Sequence, residues 1–165
     1  MPDERVIQQV YGILSMNKIN FAQNDNQQSF MAGFGSAAVF IDFRDWFNNG
    51  TLINLHAPVL EQVDSSGDRK LQILEELNEV NKTTFMGKVY LDADGGMIVL
   101  EHDILGDHLD NDEFMDALRV VASMADDLDD KLREKLGTGR RAQEAWAEAQ
   151  GEAKPEDGTG PVVQA

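Results

Sequence analysis

One stretch, Leu77 to Leu105, limits the fold more than any other part of the chain. Its first residues, Leu77-Asn78-Glu79-Val80-Asn81, read as the end of a helix, and two alternating runs follow, Phe85 to Asp92 and Met97 to Ile104. Between the runs lies Asp92-Ala93-Asp94-Gly95-Gly96, whose Asp-Gly and Gly-Gly pairs supply the positive φ angles of a tight hairpin turn. Alternation puts Phe85, Val89 and Leu91 on one face of the first strand, and Met86, Lys88, Tyr90 and Asp92 on the other. A hairpin with one apolar face needs a cover, and the acidic segment Asp107 to Glu113 leads straight into a long amphipathic helix that can supply it.

The rest of the chain extends this pattern. Asp3 is a plausible N-cap for a first helix to Met16, in which Val6, Val10, Ile13 and Leu14 recur at helical spacing. Short strands follow at Lys18–Gln23, Ser29–Phe34, Ala37–Arg44 and Thr51–Ala57, separated by Asn24-Asp25-Asn26, Gly35-Ser36 and Asn48-Asn49-Gly50. Pro58 is expected to end the last of these or to place it near an edge. A second helix spans about Ser66 to Asn81, with Leu71, Leu74, Leu77 and Val80 or Asn81 as its stripe. A third spans about Asn111 to Leu136, and its seam is Phe114, Leu118, Val121, Ala125, Leu128 and Leu132. The fold class is therefore α+β, in the order α-β(n)-α-β-β-α, with a mainly antiparallel sheet. The expected domain is residues 1–137, followed by a short helical extension over 138–150 and a disordered tail over 151–165.

Composition narrows the function. The 165 residues hold 30 acids against 14 basic residues, a formal net charge of -16. Such a field repels nucleic-acid phosphates and anionic membranes, so neither is an expected partner. A neutral or basic protein partner is compatible with it. Cysteine is absent, which removes disulfides and zinc-thiolate sites. No window reaches the ~20 apolar residues of a membrane span, and the charged start Met1-Pro2-Asp3-Glu4-Arg5 carries no signal-peptide run. A cytoplasmic protein is the resulting expectation.

Reactive constellations are few. Asp92-Ala93-Asp94-Gly95 begins like a calcium loop, but the later ligand positions fall on Gly96 and Asp103 and the flanks alternate as strands. His102, Asp103, Asp107 and His108 form the one cluster with ligand chemistry. A metal-dependent enzyme built on His102 and His108 is thus the alternative function, although His102 and Asp103 point to opposite sides of a strand. The pairs Asp126-Asp127 and Asp129-Asp130 fan out around a charged helix face. No catalytic residue, metal ligand or cofactor is assigned, and the chain reads as a non-enzyme. A third reading, a subunit whose work is oligomerisation, rests on apolar surface near Phe40, Trp46 and Phe47 or along the third helix.

Helix one, the strand containing Ala37-Ala38-Val39-Phe40-Ile41, the segment Leu77-Asn78-Glu79-Val80-Asn81, the run Gly87-Lys88-Val89-Tyr90-Leu91-Asp92 with its glycine turn, and the closing helix ending Leu136-Gly137 together resemble the YbjN family. The likeness covers about residues 5–137. It implies a fold similar to the class I chaperones of type III secretion, small α+β proteins that usually dimerise and hold peptide segments of a partner. Members are bacterial, mostly not enzymes, and described as sensory-transduction regulators or peptide-binding chaperones. The extension after Gly139 is not explained by the resemblance.

The expected function is a non-enzymatic protein-binding module, chaperone-like or regulatory, holding a peptide segment of a protein partner, with a homodimer left open. The helices should cover one sheet face. By alternation the other face should carry the partner-binding residues Phe40, Asn54, His56, Met86, Lys88, Tyr90 and Val99.

Overall fold

The computed structural model describes residues 2–24, 28–34, 37–47, 50–142 and 144. Helix α1 (Glu4–Met16) is followed by β1 (Asn20–Gln23), β2 (Ser29–Phe34), β3 (Ala37–Trp46) and β4 (Gly50–Glu61). Then come α2 (Arg69–Thr83), β5 (Lys88–Asp92), β6 (Met97–Leu105), α3 (Asn111–Leu136) and the two-residue β7 (Arg140–Arg141). The expected turns at 25–26, 35–36 and 48–49 lie outside the described residues, as does the expected tail over 151–165.

The strands form one antiparallel sheet in the order β1-β2-β3-β4-β6-β5, with β7 added beside β4. The first four strands are a meander, and α2 carries the chain to the far edge, where the β5–β6 hairpin folds back so that β6 lies against β4. This is the expected α+β class.

The three described helices pack on one face. Val39, Ile41 and Phe43 of β3, Ile53 and Leu55 of β4, and Ile98 and Leu100 of β6 share a single core with Val10 and Leu14 of α1 and with Phe114, Leu118 and Val121 of α3. Helix α3 is the main cover, lying over β3, β4 and β6, while α2 packs on β5. Asp110 caps α3 by accepting from Glu113 N–H at 2.8 Å, and Gly137 ends it at φ 59°. Asp3 caps α1, and its own N–H donates to Thr51 Oγ1 at 2.9 Å, pinning that helix start to β4.

Three expectations are corrected. In α2 the buried residues are Ile73 and Leu77, while Leu71 and Leu74 are 61% and 45% exposed. Strand β4 does not stop at Pro58 but runs on to Glu61. Its pairing with β3 reaches only His56, and the register against β6 shifts between Pro58 and Leu60, so the proline, which lacks an N–H, sits where no β3 residue pairs with it. Finally, Arg140 and Arg141, expected to begin a helix, pair with Glu61 and Leu60, on the side of β4 opposite β6.

Candidate functional site

The face turned away from the helices is a lattice of cross-strand rows. One row crosses six strands through Ala22, Met31, Phe40, His56, Glu101 and Lys88, each opposite the next. A second holds Asp42, Asn54 and Asp103, and a third Pro58, Val99 and Tyr90. Antiparallel pairing aligns these residues because every strand alternates with the same period. Val99 is buried, yet it stands outside the core shared with the helices.

Asn54 is the polar centre. It is 1% exposed, and its Nδ2 donates to Asp103 Oδ1 at 2.7 Å. Asp103 can only accept, so the Asn54 amide orientation is fixed and its Oδ1 points to the opposite side. There Oδ1 lies 3.2 Å from His56 Nδ1 and 3.5 Å from an Arg44 guanidinium nitrogen. An acceptor at that spot assigns the proton of neutral His56 to Nδ1, leaving Nε2 with its lone pair. The imidazole also stacks on Phe40, with ring centroids 5.2 Å apart and planes 17° apart.

Lys88 Nζ sits 3.1 Å from Glu101 Oε1 and 3.5 Å from Asp103 Oδ2. The hydrogen bond to Glu101 raises the lysine pKa. Burial, and then a hydrogen bond with Glu101, push Tyr90 up to about 12. Burial lowers the His56 pKa, with Asp42 and Glu101 pulling the other way. The face therefore combines apolar surface at Met31 and Phe40 with fixed donors and acceptors beside it.

Six of the seven residues expected on this face occupy it: Phe40, Asn54, His56, Lys88, Tyr90 and Val99. Met86 does not. Gly87, at φ 84°, breaks the alternation ahead of β5, and its Cα lies so close to β6 that an added Cβ would stand 2.8 Å from the Glu101 carbonyl oxygen. Met86 instead lines an apolar groove of about 490 Å³ between α2 and α3, with Val80, Phe85, Met124 and Leu128. Phe85, expected on the covered side of a strand, is fully exposed at the lip of that groove. The sequence reading left out Asp42, Arg44, Glu101 and Asp103 as site residues. The alternation that selects Phe40 and Val99 selects these four as well.

The histidine cluster is not assembled as a donor set. His102 faces the helix side, opposite Leu55, while Asp103 faces the open side opposite Asn54. The Asp107 carboxylate accepts from Thr51 N–H at 3.3 Å. Among the described residues no group of three or more His, Asp or Glu side chains is placed to hold a metal ion. Nor is any described helix long and apolar enough to cross a membrane.

The fold is similar to that of a solved structure, YbjN from E. coli, with a TM-score of 0.56 at 14% identity, covering 82% of this chain and 96% of that one. At that identity the likeness is one of fold. No curated protein matches the chain. A family model does match, over residues 4–145, from the first turn of α1 to past β7, and its description is T3SS (YopN, CesT) and YbjN peptide-binding chaperone 1. With most of its length inside that match, the chain belongs to the TY-Chap1 family of peptide-binding chaperones.

Proposed function

We propose that this protein is a non-enzymatic, chaperone-like module that holds a peptide segment of a protein partner on the face bearing Phe40, Asn54, His56, Lys88, Tyr90 and Val99. The observation that carries the reading is the row Met31–Phe40–His56–Glu101–Lys88, which none of the described helices covers. Its apolar end suits side chains of an extended peptide, and its charged end suits the peptide's polar groups. The formal charge of -16 favours a neutral or basic segment over an acidic one. A regulatory role, in which the held segment is released when the partner is needed, is compatible with the same geometry.

The test is site-specific photo-crosslinking in the native host. A photoreactive side chain in place of Phe40 should capture one partner through a contiguous segment, while the same group in place of Glu134, exposed on α3, should not. Equal capture from both positions, or none from Phe40, would defeat the proposal.

A further inference from the structure

Strands β3 and β4 pair only as far as Phe40 and His56, yet β4 runs on to Glu61. Over that last stretch one side of β4 still bonds β6, while the other is offered to whatever strand comes alongside. In this chain β7 takes part of it, with Arg141 opposite Leu60 and Arg140 opposite Glu61. Neither β3 nor β7 pairs with Ala57 or Val59, so the strand seated there is shorter than the edge it occupies.

Two residues of ladder hold a strand weakly, and side chains supply the rest. Thr138 Oγ1 accepts from the Asp64 N–H at 2.9 Å. Gly139 has φ 86° and lies so close to β4 that an added Cβ would stand 3.2 Å from Val63 Cγ2 and 3.3 Å from Leu60 Cβ. The Arg141 guanidinium hydrogen-bonds Asp130, and its Nε lies 3.6 Å from Asp129 Oδ2. Asp129 is 5% exposed, and burial raises its carboxyl pKa while Arg141 pulls it down. Ala142 is buried. The seat thus reads consecutive positions: a glycine, a residue opposite Glu61, an arginine against two carboxylates of α3, and a small apolar residue.

The fit of β7 is incomplete. Arg141 Nε is buried without a hydrogen bond, a cost that a better-placed arginine would not carry. A longer strand could also bond the backbone of Ala57 and Val59, which β7 leaves unpaired. The formal charge of -16 draws basic segments toward the chain.

We propose that this side of β4, together with Asp129 and Asp130 of α3, is an acceptor for a basic strand of a protein partner, of the pattern Gly-x-Arg-small, and that β7 is the chain's own occupant, displaced when such a strand binds. The seat is separate from the open face, so its failure would leave the reading of that face untouched.

The probe is a fluorescent peptide with the sequence of residues 138–144, followed by anisotropy against the full chain. In the parent, β7 competes from within the same molecule at an effective concentration of roughly millimolar, so the probe should bind weakly. Arg141→Ala weakens that competitor and leaves Asp129 and Asp130 in place. It should bind the probe roughly tenfold more tightly than the parent, the ratio given by about one charge-assisted hydrogen bond. A probe with glutamate in place of the second arginine should lose the gain. Equal affinity of parent and Arg141→Ala, or of the two probes, overturns the proposal. Should Arg141→Ala fail to fold, the Glu61→Cys/Arg140→Cys chain decides. The parent has no cysteine, and facing residues of paired strands, with Cα atoms about 4.5–5.5 Å apart, can form a disulfide. Reduced, this chain should take the probe; oxidised, with β7 pinned to β4, it should bind at least roughly tenfold more weakly. Affinity indifferent to oxidation would refute the exchange.

Discussion

Replacing Asn54 by leucine tests whether the polar centre of the open face holds the sheet together or merely decorates it. Asn54 is 1% exposed and donates to the ionised Asp103 at 2.7 Å, a charge-assisted bond worth about 1.5–3 kcal/mol. Its Oδ1 also faces His56 Nδ1 at 3.2 Å, worth about 1 kcal/mol more. Leucine fills a similar volume and recovers about 1 kcal/mol through extra apolar burial. The net expected loss is about 1.5–3 kcal/mol, a fall in Tm of roughly 3–12 °C for a domain of this size. Urea denaturation followed by far-UV circular dichroism gives the first figure and calorimetry the second. Lys88, 3.5 Å from Asp103 Oδ2, remains to hold that carboxylate, so the fold should survive. A variant within about 0.5 kcal/mol of the parent would show that these hydrogen bonds contribute nothing net, and the case for a pre-organised face would fail with them.

Burial lowers the pKa of His56, and likewise of His102, below the usual value of 6.5. The fold thus favours the neutral rings, and their contribution is complete above pH ~6.5 and declines as pH falls below it. Urea midpoints should drop on acidification from about pH 7.5 to about 5, and His56→Gln should reduce that slope; an unchanged slope would refute the assignment. Gly87→Ala should cost about 2–4 kcal/mol, because φ is 84° and the new Cβ would meet the Glu101 carbonyl oxygen at 2.8 Å; chemical denaturation measures it. Asp110→Ala removes the acceptor that Glu113 N–H uses at 2.8 Å and should cost about 1 kcal/mol, with amide exchange rising first at residues 112–114.

What the sequence disclosed depended on how tightly each pattern repeats. Helix α3 was legible to its ends because steps of four and three keep Phe114, Leu118, Val121, Ala125 and Leu132 on one side for 26 residues. Helix α2 misled because three-residue steps fall back by about 60° each around the helix, so Leu71, Leu74 and Leu77 cannot all face one narrow contact with β5. Ile73, Leu77 and Val80 stay within one sector, and these are the residues that pack inward. Alternation likewise placed six face residues correctly and lost Met86, one residue before a glycine whose positive φ resets the phase. The arginines of β7 left no readable trace, since a two-residue strand has no period. The two hydrogen bonds of the Asn81 side chain with the Val89 backbone were equally hidden: nothing in local sequence says that a side chain in the last turn of a helix will meet the backbone of the following strand.

The makeup of the open face argues for a partner that comes and goes. A permanent interface would be apolar at its centre, whereas here Asn54 on β4, Glu101 and Asp103 on β6 and Lys88 on the edge strand β5 are linked by a hydrogen bond and ion pairs. Such a group stays satisfied in water, so the bare face is no liability for aggregation. A bound segment must match those groups or leave them as they are, and it would gain most from Met31 and Phe40 beside them. On the proposed reading, affinity should come from the apolar residues and selectivity from the polar group, because a wrongly charged side chain would face ions it cannot pair. Truncating Phe40 should therefore weaken every bound peptide, while Asn54→Leu should chiefly change which peptides are accepted.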